Sequence, residues 1–175
     1  MANFGGLGPS GFGKLSSENF EPQRAYNFTV NFSNFIDEAR FSLESMTLPT
    51  KMVSEIELNF INTRRYVAGR ASFESIPLIV RDTVSGNVAD ELNQWHNQVF
   101  NPADGSIGNA SDYKKDGEII LFGPDGNLER KWILQGSFPT AINFGSLSYD
   151  SDDIVRIEMQ LRYDLVIATW ATSSI

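Results

Sequence analysis

Gly6, Gly8 and Gly11 stand in the spacing G-x-G-x-x-G within GGLGPSGFG, residues 5–13. In dinucleotide enzymes that spacing brings backbone N–H groups and a helix N-terminus up to a pyrophosphate, and it needs a strand ahead and a helix behind. Here only Met1 to Gly5 precede it, Pro9 interrupts it, and no helical period begins before Asn19. The stretch reads as a flexible Gly-rich arm over residues 1–20, not as a nucleotide loop.

The other residues able to do chemistry are few. The chain has no Cys and a single His, which excludes thiolate zinc sites, Cys nucleophiles and thiol redox work. A metal site or a Ser-His-Asp triad would rest on His96 alone, between Trp95 and Asn97, so His96 is read as structural. Asp150, Asp152 and Asp153 in YDSDD offer calcium ligands, but the Gly and the closing Glu of an EF-hand loop are missing. Glu55 and Glu57 lie two apart on one strand face, a spacing any wetted sheet shows, whereas a glycosidase opposes its carboxylates across a cleft. Arg64, Arg65 and Arg70 gather around Tyr66 in TRRYVAGR, a set that clamps either a phosphate or a partner's carboxylates. On a chain with 22 acidic and 14 basic residues, net −8, the protein contact is favoured. No enzyme, cofactor or metal is expected, and the charge opposes nucleic-acid binding by counterion release.

The 175 residues suit one domain with its own core. No apolar run is long enough for a membrane helix, and MANFGGLGPS lacks the regions of a signal peptide, so a soluble chain unprocessed at its N-terminus is expected. Alternation predicts strands: Tyr26, Phe28, Val30 and Phe32 share a face, then Phe41 and Leu43, then Ile56, Leu58 and Phe60. TRRYVAGR reads as a loop, and ASFESIPLIVRD as a strand whose Pro77 implies an edge or a bulge. Val88, Leu92, Trp95 and Val99 predict the one helix, capped by Asn87. A polar loop runs to Gly117, GPDGN turns a hairpin, and Val155, Ile157, Met159, Leu161, Tyr163 and Leu165 form the last strand's inner face. They are expected to pack on Phe28, Val30, Leu43, Leu58 and Trp95. The fold expected is mainly β, an antiparallel sandwich or barrel with one α-helix.

Read in order, SMTLPTKMV, FINTRRYVAGRASF, VADELNQWHNQVF, YKKDGEI, QGSFPTAINFGSLSYD and IVRIEMQLRYD resemble the tail tube proteins of contractile-tailed bacteriophages. The most specific piece is Gly136-x-Phe138-Pro139-Thr140 followed by Leu147, Asp150 and Leu161-x-x-Asp164. The resemblance implies a barrel domain over residues 21–167 between the arm and a tail at 168–175. It implies homo-hexameric rings joined by sheet edges and stacked into a tube. Sheath, baseplate and tail-terminator proteins would be its partners. DNA would pass through the lumen without specific binding, in a virion assembled in the host cytoplasm. It also implies that Thr47 to Arg70 reaches the next ring, with Arg64, Arg65, Tyr66, Gly69 and Arg70 at the stacking interface. If Arg40 to Ser45 pairs with Ser54 to Asn62, Glu44, Glu55 and Glu57 share one acidic face, either ordinary solvated surface or the channel wall. An inner tube of a type VI or extracellular contractile injection system is the near alternative, and a monomeric small-ligand barrel the distant one.

Overall fold

The computed structural model describes residues 23–33, 37–150 and 152–170; the arm expected over residues 1–20 lies outside the described residues. The chain runs β1 (Phe28–Phe32), α1 (Asp37–Phe41), β2 (Leu43–Met46), β3 (Lys51–Phe60), β4 (Thr63–Phe73) and β5 (Ile76–Arg81). Then come α2 (Asn87–Val99), the short pair β6 (Phe100–Asn101) and β7 (Ser106–Ile107), and α3 (Ala110–Tyr113). It closes with β8 (Lys115–Phe122), β9 (Leu128–Asn143), β10 (Arg156–Arg162) and β11 (Leu165–Trp170).

All pairings are antiparallel. One sheet runs β1-β8-β9-β10-β5-β2, with β11 also on β9. The sixteen residues of β9 belong to both halves of it. Up to Ser137 they pair with β8 and β11; from Phe138 to Asn143 they pair with β10. Alternate residues of the two halves, Val30, Phe32, Ile119, Leu121, Trp132 and Leu134 against Leu78, Val80, Ile157, Met159 and Leu161, meet in one core. That is the expected sandwich, formed by a sheet doubled over its longest strand.

The turning point is Gly136, whose φ of +64° lies in the left-handed region that glycine enters without a Cβ penalty. A Cβ there would run into the Asp164 carboxylate. The Gly136 N–H donates to Asp116 Oδ1 at 2.9 Å, Asp164 N–H donates to Gln135 O at 3.0 Å, and Lys114 Nζ lies 2.6 Å from Asp164 Oδ2. The corner explains why the last strand is not continuous. It breaks at Tyr163–Asp164, where the chain passes from β10 in one half to β11 in the other, and the inward phase shifts. Ile157, Met159, Leu161 and Tyr163 are buried as expected, but Leu165 is 42% exposed and Val166 is buried in its place. β11 also continues to Trp170, past the expected domain end at residue 167.

The helix α2 buries Val88, Leu92 and Trp95. Trp95 sets its ring 5.6 Å from Phe32 and donates Nε1–H to Tyr113 O at 2.8 Å. Asn87 does not cap it. The cap position falls on Gly86, and Asn87 Nδ2 donates instead to Glu38 Oε2 at 3.0 Å. Two further short helices join α2. Phe41 ends α1, where Ala39 is the buried residue, and Phe41 itself is exposed; alternation misleads there because the strand begins only at Leu43. Pro77 is neither on an edge strand nor at a bulge, since β5 lies between β10 and β2. The ladder with β2 stops at Met46↔Leu78, and Thr47 N–H donates to Pro77 O at 3.3 Å. Thr47 stands opposite Pro77 where the ladder ends, so the single bond the proline cannot make is the reciprocal N–H donation to Thr47 O. GPDGN turns the hairpin between β8 and β9 as expected, with Gly123 and Asn127 paired across it.

The largest departure is in residues 51–73. TRRYVAGR is not a loop but most of β4, paired with β3 from Phe60↔Thr63 back to Lys51↔Phe73. The arginines and Gly69 hid a strand that needs only a two-residue turn at Ile61-Asn62. This ribbon stands apart from the main sheet, so Ile56, Leu58 and Phe60 do not enter the core; Leu58 is 48% exposed. The core is closed by Phe73, Ile142 and Ala168 in addition to Phe28 and Leu43.

Truncating the fully buried Leu161 is expected to cost about 2–5 kcal/mol, whereas Leu58→Ala on the ribbon costs under about 0.5 kcal/mol. Denaturant unfolding of unassembled subunits measures both, and equal losses would place Leu58 in the core. Gly136→Ala loses at least about 1 kcal/mol by the same measurement, because it forces a side chain into the left-handed region against Asp164.

Candidate assembly surface

The β3–β4 ribbon is built where no core covers it. Its ten β3 residues are all exposed, and at about 3.3 Å per residue they reach roughly 30 Å. The root is held: Glu74 N–H donates to Thr50 O at 3.4 Å, Tyr163 Oη lies 3.5 Å from the same oxygen, and the Phe73 and Tyr163 rings stand 5.7 Å apart. Burial pushes the Tyr163 phenol above its ordinary pKa, as expected of a hydroxyl closing an apolar core.

Directly opposed residues of an antiparallel pair share a face, so the register Ile56↔Val67, Leu58↔Arg65 and Phe60↔Thr63 makes one face apolar. Arg65 lays its guanidinium over Phe60, 5.3 Å from the ring centre. The register Glu55↔Ala68, Glu57↔Tyr66 and Asn59↔Arg64 makes the other face polar, with Arg64 Nε 3.1 Å from Glu57 Oε1. A shift between Val53 and Glu55 lets Ser54 Oγ accept from Arg70 N–H at 2.9 Å. Gly69 sits against that bulge, where a Cβ would meet Ser54. A free two-stranded ribbon is marginal in water, and this one also presents a continuous apolar face.

The tip is stranger still. Ile61 has φ +48° and is 95% exposed. A β-branched residue in the left-handed region is strained by about 1–2 kcal/mol, and an apolar one held in water gains nothing from it locally.

The other residues singled out by spacing do not converge. The expected stacking set, Arg64, Arg65, Tyr66, Gly69 and Arg70, falls on one strand, β4, but on both of its faces, Arg65 opposite to Arg64 and Tyr66. The expected acidic face does not form as argued, because β2 pairs with β5 and β3 with β4. Glu44 is therefore on the main sheet, apart from Glu55 and Glu57, and accepts from Arg156 Nε at 3.0 Å and Arg81 Nε at 3.2 Å. The Arg156 hydrogen bond, over an opposing desolvation effect and with help from Arg81, holds the Glu44 carboxyl below its ordinary pKa. His96 is half-buried on α2, Asp150, Asp152 and Asp153 are exposed, and no group of three metal-ligating side chains forms among the described residues. None of the described helices is long and apolar enough to cross a membrane.

A family model described as phage tail tube protein matches residues 18–168. The chain belongs to that family. Two curated relatives are each 24% identical to it: the tail tube protein of Serratia phage KSP90, over 81% of this chain and 84% of the relative, and tail tube protein gp19 of Enterobacteria phage T4, over 78% and 86%. The fold is shared with a chain of the sheath-tube complex of an extracellular contractile injection system, with TM-score 0.69, 22% identity and coverage of 91% of this chain and 97% of that one. Alternation found the apolar residues of β3 in the sequence, but only the register of β3 on β4 shows that they face outward.

Ile61→Asn relieves the strained turn, and amide hydrogen exchange along β3 and β4 in the free subunit is expected to slow severalfold, by up to about 1 kcal/mol. Unchanged exchange would mean that the turn is unstrained. Because Glu44 has a lowered pKa, its contribution is complete above the ordinary glutamate range and is lost as pH falls through the lowered value. The difference in Tm between the parent and Glu44→Gln should therefore be largest near neutrality and shrink on acidification. A constant difference would remove charge as its cause.

Proposed function

We propose that this chain is the structural, non-catalytic subunit of a phage tail tube, assembled as homo-hexameric rings that stack inside a contractile sheath in the virion. The observation that carries the reading is the β3–β4 ribbon, a rooted arm of roughly 30 Å with an apolar face and a strained apolar tip that nothing among the described residues covers. Rings close through sheet edges: β2 and β11 each leave one side unpaired among the described strands, and unpaired edges invite strands of a second copy. Arg64, Arg65, Tyr66, Gly69 and Arg70 belong to the stacking contact. DNA moves along the lumen without specific binding, past a water-facing surface to which the ribbon's polar face contributes Glu55 and Glu57. Sheath, baseplate and tail-terminator proteins are its partners, and assembly takes place in the host cytoplasm. The fold shared with the injection-system tube favours the tube of a protein-delivering injection machine as the second reading, differing in cargo alone.

Electron microscopy of the purified protein tests the proposal directly: hollow striated filaments or six-fold rings are expected, and a monodisperse monomer at micromolar concentration overturns it. Arg64→Glu with Arg65→Glu should lower filament yield at least about tenfold while leaving the Tm of the subunit within a few degrees. Equal losses in both would assign the arginines to folding. Tubes carrying Glu55→Lys and Glu57→Lys should retain DNA at low salt and release it as salt rises; release indistinguishable from the parent would move the polar face off the channel.

A further inference from the structure

At the end of the sandwich where Phe28 starts β1 opposite Leu121, one charged side chain lies on the inner face. Opposed residues of an antiparallel pair share a face, and Arg130 stands opposite Leu121 on β8 and Trp170 on β11, two residues before the buried Trp132. Arg130 is therefore on the core side of β9. Its guanidinium rests over the Trp170 ring, 5.3 Å from the centre, and makes no hydrogen bond or ion pair with a described residue. Stacking occupies the flat of the group and leaves its N–H donors for another partner. A guanidinium turned toward a core calls for a carboxylate there.

Beside it is a hollow of about 310 Å³, walled by Phe28, Met46, Leu48, Ile119 and Leu121 together with Arg130. Such a site fits an occupant that carries an apolar side chain and a carboxylate close together. The sequence leading into the hollow has that pair. Gln23 is one of its lining residues and is fixed there, its Nε2 donating to Phe122 O at 2.8 Å; Asn27 Nδ2 donates to Gly123 O at 2.7 Å. The residues before Gln23 are Glu18-Asn19-Phe20-Glu21-Pro22. At no more than about 3.6 Å per residue, Phe20 starts within roughly 11 Å of Gln23, so the hollow is in its reach. Pro22 disfavours a helical conformation at Glu21, and in an extended chain side chains two apart point the same way, Glu18 with Phe20. The tether to Gln23 also gives this segment a local concentration that a second copy in dilute solution does not match.

We propose that residues 18–22 close this end of their own subunit, the Phe20 ring in the hollow against Met46, Leu48 and Leu121 and the Glu18 carboxylate on Arg130. One contact then meets two needs of the described residues, an apolar hollow that none of them fills and an inward guanidinium to which none of them offers a carboxylate. It assigns the segment to the subunit itself and not to a neighbour. The contact is independent of the tube assembly proposed above and exists in the free subunit.

Unassembled full-length subunits test it, and the chain's lack of cysteine leaves no competing thiol. Phe20→Cys with Leu48→Cys, oxidised at low protein concentration, is expected to give a monomer that migrates faster on a non-reducing gel. Asn19→Cys with Leu48→Cys, on the other side of the segment, should form it severalfold more slowly. Disulfide-linked dimers in place of the fast monomer would make the occupant a second copy and overturn the proposal, as would equal rates for the two pairs or no fast monomer at all. Phe20→Ala should lower the Tm and raise the fluorescence of an added anilinonaphthalene sulfonate severalfold by opening the hollow, with Phe20→Leu close to the parent in both. Glu18→Arg and Arg130→Glu should each lower the Tm, and the double reversal should recover most of the loss. Parent-like melting and dye binding in Phe20→Ala would empty the hollow of Phe20, and a double reversal no better than the sum of its parts would remove Glu18 from Arg130; either result refutes the contact as stated.

Discussion

One strand must serve two layers, and the rest of the domain follows from how it does so. β9 is long enough to lie in both halves of the sheet, and the chain can fold those halves onto one core only by turning at Gly136. The turn leaves backbone and carboxylate groups that need partners, and Lys114, Asp116 and Asp164 supply them from two stretches distant in sequence from it. The motif that carried the family resemblance acquires a physical reason here. Gly136 is required by its φ, Phe138 packs its ring 5.4 Å from Tyr113, and Asp164 marks the crossing from β10 to β11. A strand that crosses between layers must also change its buried phase, which is why Val166 and not Leu165 continues the core.

Because the sandwich and α2 complete a core by themselves, the ribbon is energetically separate from it. Its residues contribute little to subunit stability and much to whatever covers them, the pattern expected when unfolding free energy and assembly free energy are carried by different parts of a chain. Its amphipathic register, its basic excess and its strained tip all favour a covered state over the free one. The edges of the main sheet present the same problem in another form, as unpaired backbone groups that a neighbouring strand satisfies.

The charge distribution follows this division. The chain carries an acidic excess, while two of the ribbon's basic groups, Arg64 and Arg65, stand next to its turn and two, Lys51 and Arg70, nearer its root. At physiological ionic strength the Debye length is roughly 8 Å, so these exposed charges act on groups within about that distance and scarcely beyond it.

Sequence alone determined the class of the fold, the long helix, the GPDGN hairpin, most of the inner face of β10 and the family, because those follow from periods of two and 3.6 residues, local turn chemistry and ordered motifs. It also separated the apolar from the polar residues of β3. Alternation, however, says which residues share a face and not what the face meets. Whether Leu58 packs inside or stands outside depends on β3 pairing with β4 rather than with β2, a choice between partners made by the whole sheet. The same limit explains Glu44, whose neighbours are Arg81 and Arg156 from strands far along the chain, and Leu165, whose phase follows from the corner at Gly136, far earlier in the sequence. Those placements belong to tertiary structure, since non-local pairing decides them and no local pattern records it.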